Sequence, residues 1–300
     1  MTSSKLFSGN LPEISFNIIK NLRNDFNTLY SLALVNRFWC RLAVPLLWED
    51  PFSIKHQEDS THFIDTYCLF LNDNDKNKVK ENLKSYKFDS NLQQPLFNYP
   101  SLIKTLNFSR IKPHIKNWFY NKTLRKPFLK DFFIILFKLF IENNASLSNL
   151  YIYINPPNQL FYHIRDKILD NPKFISEIEI FSFDYKLKQN SQKFESIQKF
   201  YYHYFPKHIN ISTDNVGFEK IFVNKIQSQT QLSSIKIKLL QVPLLNSLKC
   251  SSTTLTSINF SECRFYTMEF GALYYLTQLE SLQFKDCKGL NSKLFSMLLH

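Results

Sequence analysis

Apolar residues near the start of the chain recur at helical spacing, whereas those near its end alternate, so two kinds of structure are predicted from pattern alone. Pro12 suits the first turn of a helix, where its missing N–H would be unpaired anyway, and Ile14, Ile18, Ile19 and Leu22 follow as one apolar face. Asn24 and Asp25 offer side-chain caps for a second helix carrying Leu29, Leu32 and Ala33. A third run, Asn36 to Ala43, holds Trp39, Leu42 and Ala43 and is expected to stop near Pro45, with Leu46, Leu47 and Trp48 closing the block. From 51 to 100 the chain turns polar. Leu71 to Lys78 reads as a mobile surface loop, flanked by short helices over His62 to Leu71 and Val79 to Tyr86.

Beyond residue 100 the dominant signal is a repeat. Leu255-x-x-Ile258-x-Phe260-x-x-Cys263 and Leu279-x-x-Leu282-x-Phe284-x-x-Cys287 share one spacing, 24 residues apart. Weaker echoes are Leu232-x-x-Ile235-x-Ile237, Ile209-x-Ile211, Ile175-x-x-Ile178-x-Ile180, Leu147-x-x-Leu150-x-Ile152-x-x-Asn155 and Ile103-x-x-Leu106-x-Phe108. Alternation at Leu282 and Phe284 points both side chains to one face of a short strand, and stacking such strands in parallel buries a continuous apolar column. Helical returns are expected over Phe128 to Asn143, Phe161 to Asp170, Phe194 to Tyr204, Val216 to Gln227 and Met268 to Tyr275. The predicted fold class is therefore α/β: a small all-α module of three helices, then an irregular array of parallel strands with helical returns.

Composition narrows the chemistry. The 300 residues are 44% apolar and 16% aromatic, which is too apolar for a chain disordered throughout. Only 4 are Gly, too few for a glycine-rich phosphate loop, so Walker-type and dinucleotide-binding enzymes are excluded. The net charge of +12 comes mostly from Lys, Arg numbering 7, and reads as a solubilising surface more than a nucleic-acid footprint. Cys40, Cys68, Cys250, Cys263 and Cys287 are odd in number and contain no C-x-x-C pair, which fits a reducing compartment and neither a disulfide framework nor a zinc knuckle. No signal peptide is evident at the N-terminus, and the greasiest stretch, Phe128 to Ile141, is too short to span a bilayer. A soluble protein of the cytoplasm or nucleus is expected, with no membrane partner.

No catalytic constellation emerges. His203 and His208 are separated by Phe205 and Pro206, so they cannot form a helical metal pair, and His56 and His62 do no better. No G-x-S-x-G, H-E-x-x-H or HRD-like pattern is present. Cys263 and Cys287 read as structural thiols at the turn after each strand, and Cys40 as packing. Between Lys104 and Lys130, Arg110, Lys112, Lys116, Lys122, Arg125 and Lys126 interleave with Trp118, Phe119 and Tyr120. That segment reads as an RNA or acidic-partner patch, or, as the preferred alternative, as a solvated edge whose aromatics pack inward.

Leu11-Pro12-Glu13, Ile18, Leu22, Asp25-Phe26, Leu29, Leu32, Val35-Asn36-Arg37-Phe38-Trp39, Leu42-Ala43 and Leu46-Leu47-Trp48 together resemble an F-box, in order and in spacing. Asn36 stands where that family often has Cys, and Phe26 where it often has Leu. The repeats resemble leucine-rich repeats, whose period is about 20 to 29 residues. An F-box followed by such repeats is similar to the layout of substrate-receptor subunits of cullin-RING, SCF-type, ubiquitin ligases. The resemblance implies an N-terminal tail over 1–10, an F-box over 11–50, a connector with a polar loop over 51–100 and a leucine-rich-repeat solenoid over 101–300, short or truncated at its C-terminus. It implies a non-catalytic adaptor without cofactor, bound to a Skp-family adaptor and through it to a cullin, with the repeats holding a target protein. Leu11, Pro12, Ile14, Ile18, Val35, Trp39, Leu42 and Trp48 would then divide between the module's core and the Skp-facing surface, the L-P turn and third helix meeting the adaptor. The repeat framework would be Leu255, Ile258, Phe260, Cys263, Leu279, Leu282, Phe284 and Cys287. The rival reading is a basic repeat scaffold that binds nucleic acid or an acidic protein without a ligase, nucleic acid being the less expected partner. A third is a decayed family copy without a target.

Overall fold

A computed structural model of the chain describes residues 12–53, 62–83, 95–122, 128–154, 164, 167–168, 170–185, 206–213, 222–224, 226–228, 230–239, 245–265 and 270–290. The fold is mixed α/β, and the chain divides into two compact units. One comprises residues 1–106 and 110–146, the other 107–109 and 147–300. Leu11 and the expected helix over Phe194 to Tyr204 lie outside the described residues.

The described part of the first unit begins with the helices α1 (Pro12–Lys20), α2 (Phe26–Ala33) and α3 (Arg37–Leu47). Asp25 caps α2, its carboxylate accepting from the Thr28 N–H at 3.0 Å and from the Thr28 hydroxyl at 2.6 Å. These two bonds hold its carboxyl below the usual carboxylate value. Asn36 caps α3 by accepting from the Trp39 N–H at 3.0 Å. Ile19, Leu29, Trp39, Ala43 and Leu46 form the module's core, with Leu22, Leu32 and Leu42 packed on it. The expected stop at Pro45 is not observed, because α3 runs through it to Leu47. Pro45 removes one backbone donor, but burying Val44 and Leu46 on either side of it repays the lost bond.

Among the described residues of this unit there are four further α-helices: α4 (His62–Leu69), α5 (Asp73–Asn82), α6 (Phe108–Lys122, from Arg110 onward in this unit) and α7 (Leu129–Glu142). The expected loop over Leu71 to Lys78 is instead the capped start of α5. Asn72 accepts from the Asp75 N–H at 2.9 Å, and Asp73 and Asp75 lie in the first turn, where the helix dipole favours negative charge. The buried Asp75 carboxylate receives Lys138 at 2.9 Å, Lys78 at 3.5 Å and the Asn72 amide at 3.0 Å. Burial pushes its carboxyl up, but the Lys138 bond and charge, with Asn72 and Lys78, outweigh that and hold it below the usual value. Val79 and Leu83 supply the apolar anchors that a local reading of Asn, Asp and Lys overlooked. An aromatic core sits among these helices: Trp118 stacks on Phe132 at 4.8 Å and donates its indole N–H to Asp65 at 3.0 Å, and Tyr67 meets Phe140 edge-on at 5.1 Å.

Seven strands lie in one sheet in chain order: β1 (Thr105–Asn107), β2 (Asn149–Ile154), β3 (Ile180–Tyr185), β4 (His208–Thr213), β5 (Ser234–Lys238), β6 (Ser257–Ser261) and β7 (Ser281–Lys285). Every pair from β2 to β7 is parallel. Register aligns Leu150, Phe181, Ile209, Ile235, Ile258 and Leu282 in one row. Two residues on, Ile152, Phe183, Ile211, Ile237, Phe260 and Phe284 form a second. Leu150, Ile152, Phe181, Ile209, Ile211, Ile235, Ile237, Ile258 and Phe260 are buried, so the alternation is a continuous core seam. The echo at Ile175, Ile178 and Ile180 is corrected. The strand positions are Phe181 and Phe183, three residues later, with Ile178 in the place of Leu147. Ile175, Ile178 and Phe181 are themselves three apart, so spacing alone could not tell one frame from the next.

The described returns between the last strands are helical, as expected over Met268 to Tyr275, of which Met268 lies outside the described residues. They are 3-10 turns, Leu245–Ser251 and Phe270–Tyr275, burying Leu245, Leu248, Ala272 and Leu276. At the exit of β5, β6 and β7, equivalent residues Leu239, Glu262 and Asp286 adopt left-handed backbone, with φ of 67°, 53° and 53°. Gly289 also has positive φ, +83°, and a Cβ there would lie 1.9 Å from the Phe265 carbonyl oxygen, so only glycine fits.

Candidate functional site

Two surfaces stand out, one on the helical module and one on the sheet. On α1, Ser15 and Ile19 are buried, whereas Ile14 and Ile18 are 46% and 48% exposed. At about 100° per residue Ile19 lies roughly 140° round the axis from Ile14, so the expected single apolar face is in fact two. The second points outward. Val35 is 61% exposed and Leu34 71%, both in the turn between α2 and α3. Phe26 and Tyr30, one helical turn apart on α2, stack at 6.2 Å and are also exposed. Among the described residues, seven of the ten large apolar side chains left exposed belong to this module, Phe16 completing the set. Monomeric surfaces scatter such residues singly, so this concentration makes the outer surface of the module the candidate site.

The predicted Skp-facing residues therefore separate. Leu11 lies outside the described residues and Pro12 opens α1. Ile14, Ile18 and Val35 are on the surface, and Trp39 is in the core. Leu42 packs against that core, and Trp48 is half-buried against Tyr67 at 5.3 Å and Tyr99 at 4.3 Å. Sequence reasoning did not assign Phe16, Tyr30 or Leu34 to a site, nor Phe26 beyond its place in the motif. The available signal was a surplus of apolar positions on α1 and α2 over what one helix face can bury. Beneath the module, Arg23 pairs with Glu49 at 2.8 Å, and Arg110 reaches Asp50 at 3.4 Å. Burial raises the Asp50 carboxyl to about 6 against the opposing charge of Arg110, and its Oδ1 and the fully buried Tyr67 hydroxyl have no hydrogen-bond partner among the described residues.

On the sheet, the side chains between the buried rows form the outward face. The middle row reads Tyr151, Ser182, Asn210, Lys236, Asn259 and Gln283 in register. Asn259 donates its amide to Gln283 at 2.6 Å, and His208 Nδ1 lies 3.2 Å from the Ser234 hydroxyl. Leu255, Ile258, Phe260 and Cys263 are buried, while Leu279, Leu282, Phe284 and Cys287 are half-buried. Phe284 stacks on Phe260 at 5.5 Å. The Cys263 thiol donates to the Ser261 carbonyl at 3.3 Å and the Ile237 carbonyl at 3.6 Å, and Cys287 does likewise to Lys285 and Phe260 at 3.4 and 3.6 Å. These thiols close the ends of the ladder.

Trp118 and Phe119 of the basic segment are buried, which removes them as stacking platforms for a nucleic acid. Among the described residues no group of three or more His, Cys, Asp or Glu is placed to hold a metal ion, and no helix is long and apolar enough to cross a membrane. No protein-family model matches the chain, and no curated protein matches it.

Proposed function

We propose that the chain is a non-catalytic substrate-recognition adaptor of an SCF-type ubiquitin ligase: its three-helix module is an F-box docked to a Skp-family adaptor, and its strands are leucine-rich repeats that hold a target protein. The observation that carries this is the exposed apolar set on α1, α2 and the turn before α3, in a module whose sequence already has the F-box order and spacing. Fully burying one such side chain is worth about 1.5 to 3 kcal/mol, and these start half-exposed, so each would contribute about 1 kcal/mol. Together they reach the same order as the cost of association. Holding a target near a ubiquitin-charged conjugating enzyme supplies catalysis by proximity, and asks only placement of this chain.

The test is co-purification with a Skp adaptor. Ile18→Asp with Val35→Asp should abolish capture while leaving circular dichroism unchanged, since neither side chain belongs to the core. Leu11→Ala with Pro12→Ala should also abolish it. Full-strength binding by both variants overturns the assignment.

A further inference from the structure

Resting on the adaptor reading, which leaves the target's chemistry open, we infer that the outward face of β4 to β7 takes an extended, acidic segment of the target. Alternation with the buried rows turns Ser234, Lys236 and Lys238 of β5 outward, with Ser257, Asn259 and Ser261 of β6 and Ser281, Gln283 and Lys285 of β7. His208, Asn210 and Ser212 continue these rows on β4. Among the described residues of this face there is no Asp or Glu, no aliphatic side chain and no Phe, Tyr or Trp. What remains is lysine ammonium, hydroxyl, amide and the His208 imidazole, a set that can pair with carboxylates and hydrogen-bond a peptide backbone but buries little apolar surface. The lack of Arg and of stacking rings disfavours a nucleic acid.

Spacing adds a constraint. Lys238 and Lys285 share a row, two strands apart through Ser261, so their Cα atoms are about 9.6 Å apart at the usual strand separation. A chain in the polyproline II conformation advances about 3.1 Å per residue and returns its side chains to one face every third residue, so a segment crossing the strands brings carboxylates at i and i+3 over these two lysines. Lys236, two residues back along β5 and exposed, lies beside that path. Glu262, just beyond β6, pairs with Lys238 at 2.9 Å. That pair is on the surface, where an ion pair is weak, so an incoming carboxylate can replace it.

The experiment uses the full chain and fluorescence anisotropy with labelled peptides. A peptide with Asp or Glu at i, i+3 and i+6 should bind at least tenfold more tightly than its Asn/Gln counterpart, and the difference should shrink as salt is raised. K236Q/K238Q/K285Q should lose at least tenfold for the acidic peptide, whereas K20Q/K112Q/K130Q, three exposed lysines elsewhere, should not. Equal affinity for the amide peptide, equal loss in both triple variants, or tighter binding of single-stranded RNA to the same face overturns the inference. Skp capture by the same preparations separates the two readings. Capture intact with no peptide preference sinks this inference alone, and failure of the unsubstituted chain to capture Skp sinks the adaptor reading.

Discussion

The three-helix module and the strand ladder solve the same problem in opposite ways. In β5 and β6 every apolar side chain of the alternation is buried, and what faces outward is polar. In α1 and α2 the apolar side chains are shared between a small core and the solvent. About forty residues bury too little surface to hide all their own apolar groups, whereas a stack of strands hides each row beneath the next. The same residue type therefore means stability in one region and exposed surface, open to the proposed docking, in the other.

The largest test of that contrast is one substitution made twice. Ile258→Ala should destabilise the chain by about 2 to 5 kcal/mol, and Ile18→Ala by less than about 0.5 kcal/mol, in chemical denaturation followed by circular dichroism. Similar losses would erase the distinction. Gly289→Ala should cost about 2 kcal/mol, because its Cβ meets the Phe265 carbonyl and its φ is left-handed. Asp50→Asn, below the module, should stabilise by about 1 kcal/mol at pH 7.5, solvent screening allowed for. The sign follows from a folded-state value of about 6 against 3.8. The stability linked to Asp50 is complete below about 3.8 and lost as pH rises through 6. The advantage of the variant should thus vanish near pH 4 and grow towards pH 7.5. A gain that is constant with pH would remove Asp50 from the account.

How far the sequence could be read depended on whether the deciding interaction was local. The caps at Asp25 and Asn36 act within three residues of themselves, and the starts of α2 and α3 were legible at those positions, as that of α1 was at Pro12. Rows at Leu232, Leu255 and Leu279 were legible because no frame three residues earlier or later completes the same three apolar positions. Around Ile175 and Ile178 such a frame exists, and only pairing with Leu150 selects Phe181. The helix over Asp73–Asn82 depends on Lys138, sixty-three residues away, and Pro45 is carried inside α3 by core contacts. On the candidate surface, Ile14, Ile18 and Val35 could be nominated, but not separated from Trp39, because facing is decided by which neighbours fill the core. Tyr30 and Leu34 carry no motif letter and become visible only as exposed area.

Leu239, Glu262 and Asp286 leave their strands with a backbone twist that suits glycine, in a chain that has only 4 glycines. Each such exit holds a little tension that a residue without a Cβ would release. The margin of the ladder is thus a reserve of unused robustness, and at Leu239 and Asp286 protein engineers could draw on it without altering the outward rows of the sheet, Glu262 being held by its pair with Lys238.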